Sequence, residues 1–140
     1  MRAVIMTREH ALQAASWMTR RIRTATGNGE VVFDAMWFIR SEGIAVLDAS
    51  NHLVAVVVLY LERGGTVGQI GWCLAKPGNT GRESYAALKL GLRAAVERAQ
   101  KLGVKYLMSY IALRGINREL DRIGFRDGDQ NIKQKILVLR

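Results

Sequence analysis

The sequence predicts a single α+β domain on a mixed α/β sheet. Three Val/Ile/Leu-rich runs separated by turn formers imply an antiparallel meander. A strand–helix–strand unit after them implies a parallel pair, and the 140 residues contain no repeat or low-complexity linker. The domain is expected to span residues 1–140.

Each element follows from its residues. Thr7–Arg23 reads as a helix: Thr7 is an N-cap residue, and Leu12, Ala15, Met18/Thr19 and Ile22 recur at helical spacing. Gly27-Asn28-Gly29 breaks the chain. Val31–Phe38 is read as a short amphipathic helix on the spacing of Phe33 and Trp37. Ile44–Leu47, Leu53–Leu61 and Thr66–Ala75 are the meander strands, with turns at Asp48–Asn51 and Glu62–Gly65. Lys76–Gly81 is a loop. Arg82–Leu102 is a long helix with Leu88, Leu92, Ala95/Val96, Ala99 and Leu102 on one face and Gly103 as its stop. Val104–Ile111 is a buried strand, expected to lie parallel to Thr66–Ala75 through a right-handed crossover. Gly115–Ile123 is a helix with Ile116, Leu120 and Ile123 inward, and Ile132–Leu139 a last strand.

The composition is that of a globular protein, 49% hydrophobic and 24% charged. The lone Cys73 cannot form an internal disulfide and fits a reducing compartment. Met1–Arg8 is too short in its apolar part for a secretory signal, and Leu53–Leu61 is too short to span a bilayer. These features lead to the expectation of a soluble, cytoplasmic protein without membrane attachment. The net charge of +9 suits polyanionic partners: nucleic acid, acidic surfaces or a nucleotide cofactor.

The turn after Ala75 carries the chemistry. A parallel strand, a Gly-rich loop and a helix N-terminus together form an anion site, because the first helical N–H groups have no intrahelical partner. Gly78 and Gly81 let a pyrophosphate approach the backbone. Asn79, Thr80 and Ser84 offer side-chain donors, and Arg82 a charge-assisted contact. No Gly-Lys-Ser/Thr follows, so this is not a Walker loop, and a third correctly spaced Gly for the dinucleotide fingerprint is absent.

The order of elements, the chain length, this loop and the closing Gly124-Phe125-Arg126 resemble the GNAT (Gcn5-related N-acetyltransferase) superfamily over about Gly43–Arg126, and more loosely over the whole chain. The resemblance implies a three-layer sandwich with a splayed central parallel pair, the pantetheine arm in the cleft and the pyrophosphate on the loop amides. Pro77 and Gly81 match the family loop. Thr80 stands where Arg or Gln is usual, and Glu83 and Tyr85 replace glycines. Four residues before Gly124, where the family often has a Tyr that protonates the leaving thiolate, this chain has Leu120; Tyr110 is the nearest substitute by sequence.

The resemblance implies acyl transfer from acetyl-CoA or a related acyl-CoA to an unidentified amine. Strand amides around Trp72, Cys73 and Leu74 would hold the thioester oxygen. Glu62 is a candidate base, with Asp34 and Glu30 as others. Cys73 has no neighbouring His and reads as a small buried residue. No His/Cys/carboxylate set has zinc spacing, so no metal is expected. Arg114, Arg118 and Arg122 share a helical face, a candidate stripe for nucleic-acid phosphates. Two further readings stay open: a non-catalytic binding protein on the same fold that engages nucleic acid or an acidic protein, and a DNA-base-modifying enzyme. A homodimer through an exposed strand edge is also considered.

Overall fold

The computed structural model describes residues 1–109 and 114–128. In chain order the elements are β1 (Arg2–Ile5), α1 (Arg8–Thr26), α2 (Met36–Ile39), β2 (Ile44–Leu47), β3 (Leu53–Leu61), β4 (Val67–Ala75), α3 (Gly81–Lys101), β5 (Tyr106–Ser109) and α4 (Arg114–Ile123). The strand expected over Ile132–Leu139 lies outside the described residues. The strands form one five-stranded sheet in the order β1-β2-β3-β4-β5. The pairings from β1 to β4 are antiparallel, and β4 and β5 are parallel, Val67–Ile70 against Tyr106–Ser109. The mixed sheet, the meander and the parallel crossover through α3 are those expected from the sequence.

The sheet separates two cores. On one side α3 and α4 pack Leu88, Leu92, Ala95, Ile116 and Leu120 onto Val46, Val57, Leu59 and Ile70. On the other, α1 and α2 pack Ala11, Ala14, Ala15, Met18 and Phe38 onto Ala45, Val56, Val58 and Leu74. β3 is buried on both faces, which is why its sequence is a continuous apolar run rather than an alternation. Small residues set the distance of α3. A Cβ at Gly91 would lie 2.9 Å from Val57 Cγ2 and 3.1 Å from Val46 Cγ2.

Three local differences from the sequence reading have physical causes. β1 was not expected; its four residues carry too little alternation to be read alone and gain their hydrogen bonds only from the β2 edge. α1 runs to Thr26, where Gly27 closes the helix in a left-handed conformation with its amide on the Arg23 carbonyl; the hydroxyls of Thr24 and Thr26 donate to the Arg20 and Ile22 carbonyls. Only Met36–Ile39 of the second predicted helix region is helical. The approach to it is irregular and tied to α1. Arg23 Nε donates to the Val31 carbonyl, and the Phe33 amide donates to Thr19 Oγ1.

Candidate active site

The turn between β4 and α3 can be accounted for donor by donor. The Lys76 amide donates to Val54 O and the Asn79 amide to Lys76 O, while Asn79 Nδ2 reaches Val54 O at 3.3 Å. Thr80 and Glu83 form a reciprocal capping box. The Thr80 amide donates to Glu83 Oε2 at 2.7 Å, and the Glu83 amide donates to Thr80 Oγ1 at 3.2 Å. Pro77 has no N–H. The amides of Gly78, Gly81 and Arg82 remain without a partner among the described residues. Gly78 has φ 92°, a conformation that favours glycine, and nothing lies within 4 Å of a Cβ built at Gly78 or Gly81. The backbone is therefore open where an anion would approach. The Lys76 and Arg82 side chains, both exposed, make no ion pair among the described residues. Glu83 works in the opposite sense. Its hydrogen bond from Thr80 holds its carboxyl below the usual carboxylate range, so it is a fixed negative charge at the helix start.

Upstream of the turn, β4 is bulged. Val58 pairs with Trp72 and Leu59 with Ile70, which leaves Gly71 as an extra residue. The Tyr60 ring covers that residue and occupies the space a side chain there would fill. Beyond Ile70, β4 has no β5 partner among the described residues. Trp72 is 41% exposed and meets Phe33 edge-on at 6.5 Å. Leu74 is buried on the α1 side, and Cys73 packs into the α3 side. Burial pushes the Cys73 thiol up to about 12, which keeps it protonated and non-nucleophilic at neutral pH.

On the α1 side of the sheet a cavity of about 400 Å³ is lined by Asp34, Met36, Trp37, Arg40 and Tyr60. One Asp34 carboxylate oxygen accepts from the Met36 amide at 2.9 Å. The Tyr60 hydroxyl is buried and makes no hydrogen bond of regular geometry. Burial raises its pKa above the phenol norm, and the Trp72 indole only partly opposes this. Sequence reasoning named Asp34 but missed Tyr60 and Arg40. Their signal lies in pairing: Tyr60 faces the bulge only because β3 and β4 are in this register.

The remaining candidates are dispersed. Glu62 caps the β3–β4 turn, where its Oε1 accepts from the Val67 amide at 3.1 Å. It stands at the opposite end of β4 from the Lys76–Gly81 turn. Glu30 is exposed, and its amide donates to Asn28 Oδ1. Ser84 is half-buried on the first turn of α3. Tyr110 lies outside the described residues. The Leu120 side chain is in the core. Tyr85, where the family loop has glycine, packs its ring on Gly115 at the start of α4. Among the described residues no cluster of His, Cys, Asp and Glu could hold a metal, and no helix is long and apolar enough to cross a membrane.

The arginine stripe divides. Arg118 is exposed, whereas Arg122 turns to the buried Glu119 at 3.4 Å. Arg93 Nε donates to Glu119 Oε1 at 2.8 Å and Lys89 Nζ lies 3.7 Å from Oε2, so one carboxylate on α4 gathers three cations, two of them from α3. Burial pushes the Glu119 carboxyl up, but the hydrogen bond and charge of Arg93, with Lys89 and Arg122, outweigh it and hold the group below its ordinary value.

No protein-family model and no curated protein matches the sequence. Solved structures do match in fold. A crystal structure of a probable acetyltransferase is 17% identical, with TM-score 0.66, and covers 100% of this chain and 99% of its own. A ribosomal-protein-alanine N-acetyltransferase from Brucella melitensis biovar Abortus is 14% identical, with TM-score 0.62, over 99% of this chain and 100% of that one. An acetyltransferase from Trypanosoma brucei is 12% identical, with TM-score 0.62, over 96% and 98%.

Proposed function

Starting from a chain that carries the GNAT acyltransferase fold, we propose that it transfers an acyl group from an acyl-coenzyme A, such as acetyl-CoA, to an amine. The observation that supports this most directly is the set of unpartnered amides at Gly78, Gly81 and Arg82, flanked by Lys76 and Arg82 and free of side-chain cover. Those groups suit a pyrophosphate: backbone donors at a helix N-terminus with two cations beside them. The cosubstrate supplies the activated thioester.

The chain's own residues would do the rest. The Trp72–Leu74 stretch of β4, beyond the bulge at Gly71 and beyond the last β5 pairing among the described residues, would supply amides for the thioester oxygen. The amine nitrogen bonds to the acyl carbon, the carbon–sulfur bond breaks, the amine proton passes to a carboxylate and the departing thiolate takes a proton. Asp34, on the cavity that adjoins the bulge, and Glu62 are the candidate acceptors of the amine proton. Tyr110 is the candidate donor to sulfur. The thiol of Cys73 stays protonated, which favours direct transfer over a covalent acyl-enzyme.

One observation favours a second reading, a non-catalytic binding protein on the same fold. Glu83 occupies the Thr80 amide and places a negative charge where a diphosphate would approach. The two readings separate in a thermal-shift measurement with millimolar acetyl-CoA. A ligand at a hundred times its dissociation constant stabilises the native state by about 2.7 kcal/mol, a shift of several degrees. Gly81→Glu should abolish it. No shift in the unaltered chain, together with salt-sensitive binding to duplex DNA, would favour the binding protein.

A further inference from the structure

The cavity beside the β4 bulge presents two opposite charges that do not neutralise each other. Arg40, at the C-terminal cap of α2, has no side-chain partner among the described residues. Asp34, before the same helix, spends one carboxylate oxygen on the Met36 amide and has no ion pair there. Between these charges lie an apolar wall of Met36 and Trp37, the latter 64% exposed, and the Tyr60 side chain. An exposed tryptophan beside a cation and an anion that do not pair suits a ligand with a flat apolar body and charges of its own.

We infer that this cavity selects an acceptor carrying a carboxylate next to its amine, an α-amino carboxylate with an apolar side chain. Arg40 pairs with the carboxylate, the open oxygen of Asp34 accepts from the amine, and Trp37 and Met36 cover the side chain. Tyr60 links the cavity to the bulge, since its ring lies on Gly71 and the same residue lines the cavity. The inference rests on the transferase reading for its biological meaning, but ligand binding by the cavity can be measured without the acyl donor.

The test uses the full chain and tryptophan fluorescence, since Trp37 lines the cavity. Three probes share a phenyl ring: L-phenylalanine, phenethylamine without the carboxylate, and 3-phenylpropionate without the amine. L-Phenylalanine should bind about tenfold more tightly than phenethylamine, the ratio one charge-assisted hydrogen bond supplies. Arg40→Gln should erase that preference with an unchanged melting temperature, and Arg40→Lys should restore part of it. Asp34→Asn should erase the preference over 3-phenylpropionate. Equal binding of the probes, no response to any of them, or an Arg40→Gln chain that still discriminates overturns the inference. The acetyl-CoA shift is measured on the same samples. A shift without carboxylate preference leaves the transferase reading standing and removes this one. An Arg40-dependent preference without a shift does the reverse.

Discussion

Tyr60 lies on Gly71: a Cβ at Gly71 would collide with the ring at Cε2 and come within 2.7 Å of Cδ2. Gly71→Ala must therefore displace the phenol from the bulge. The expected loss is about 1–3 kcal/mol, typical of overpacking. Urea unfolding reads the loss, and the near-UV circular dichroism of the native state should change with it. An alanine variant as stable as the parent would mean the ring is not held there.

Glu83 sets the second prediction. Glu83→Gln keeps a side chain able to accept from the Thr80 amide and removes the negative charge from the start of α3. Acetyl-CoA affinity should rise several-fold, measured by calorimetry. The melting temperature at neutral pH should fall slightly, because a carboxylate favours the positive end of the helix. Unchanged or weaker binding would show that the diphosphate does not approach this turn.

Acid should loosen the link between α3 and α4. The Glu119 carboxyl titrates below its ordinary value of 4.5 in the folded chain, because burial, which raises it, is outweighed by Arg93, Lys89 and Arg122. A depressed native pKa means the unfolded chain binds the proton more readily. The stabilisation is complete above the unfolded value and is lost as pH falls through the folded one. The melting temperature of the parent should therefore drop more steeply below about pH 4.5 than that of Glu119→Gln, given an unfolded glutamate near 4.3. Parallel curves would remove Glu119 from the acid response.

Cys73 provides a chemical test of burial. With its thiol pushed up to about 12, the native chain should leave Ellman's reagent unreacted at pH 8 and release one thiol per chain after denaturation. Cys73→Ala should leave any acyl transfer intact. Rapid labelling of the native chain would contradict the packing of β4 against α3.

Elements defined by local chemistry were legible in the sequence. The Thr7 cap, the turns at Asp48–Asn51 and Glu62–Gly65 and the apolar face of α3 each need only neighbouring residues. What depends on pairing was not. β1 is a strand because β2 offers an edge. Ile70 and Cys73 share the α3 side, against a period of two, because the bulge between them adds a residue. The candidate site divides the same way. The turn's glycines can be read directly, but which amides Glu83 occupies depends on where the helix starts. The Arg40–Tyr60 cavity joins residues from α2 and β3, brought together only by the sheet.

The bulge also allows the packing of the sheet to be separated from the local shape of β4 by removing one codon. Without Gly71, strict alternation carries Ile70, Trp72, Cys73 and Leu74 to the faces they already occupy. Such a shortened chain would retain each core residue and straighten only the backbone beneath Tyr60.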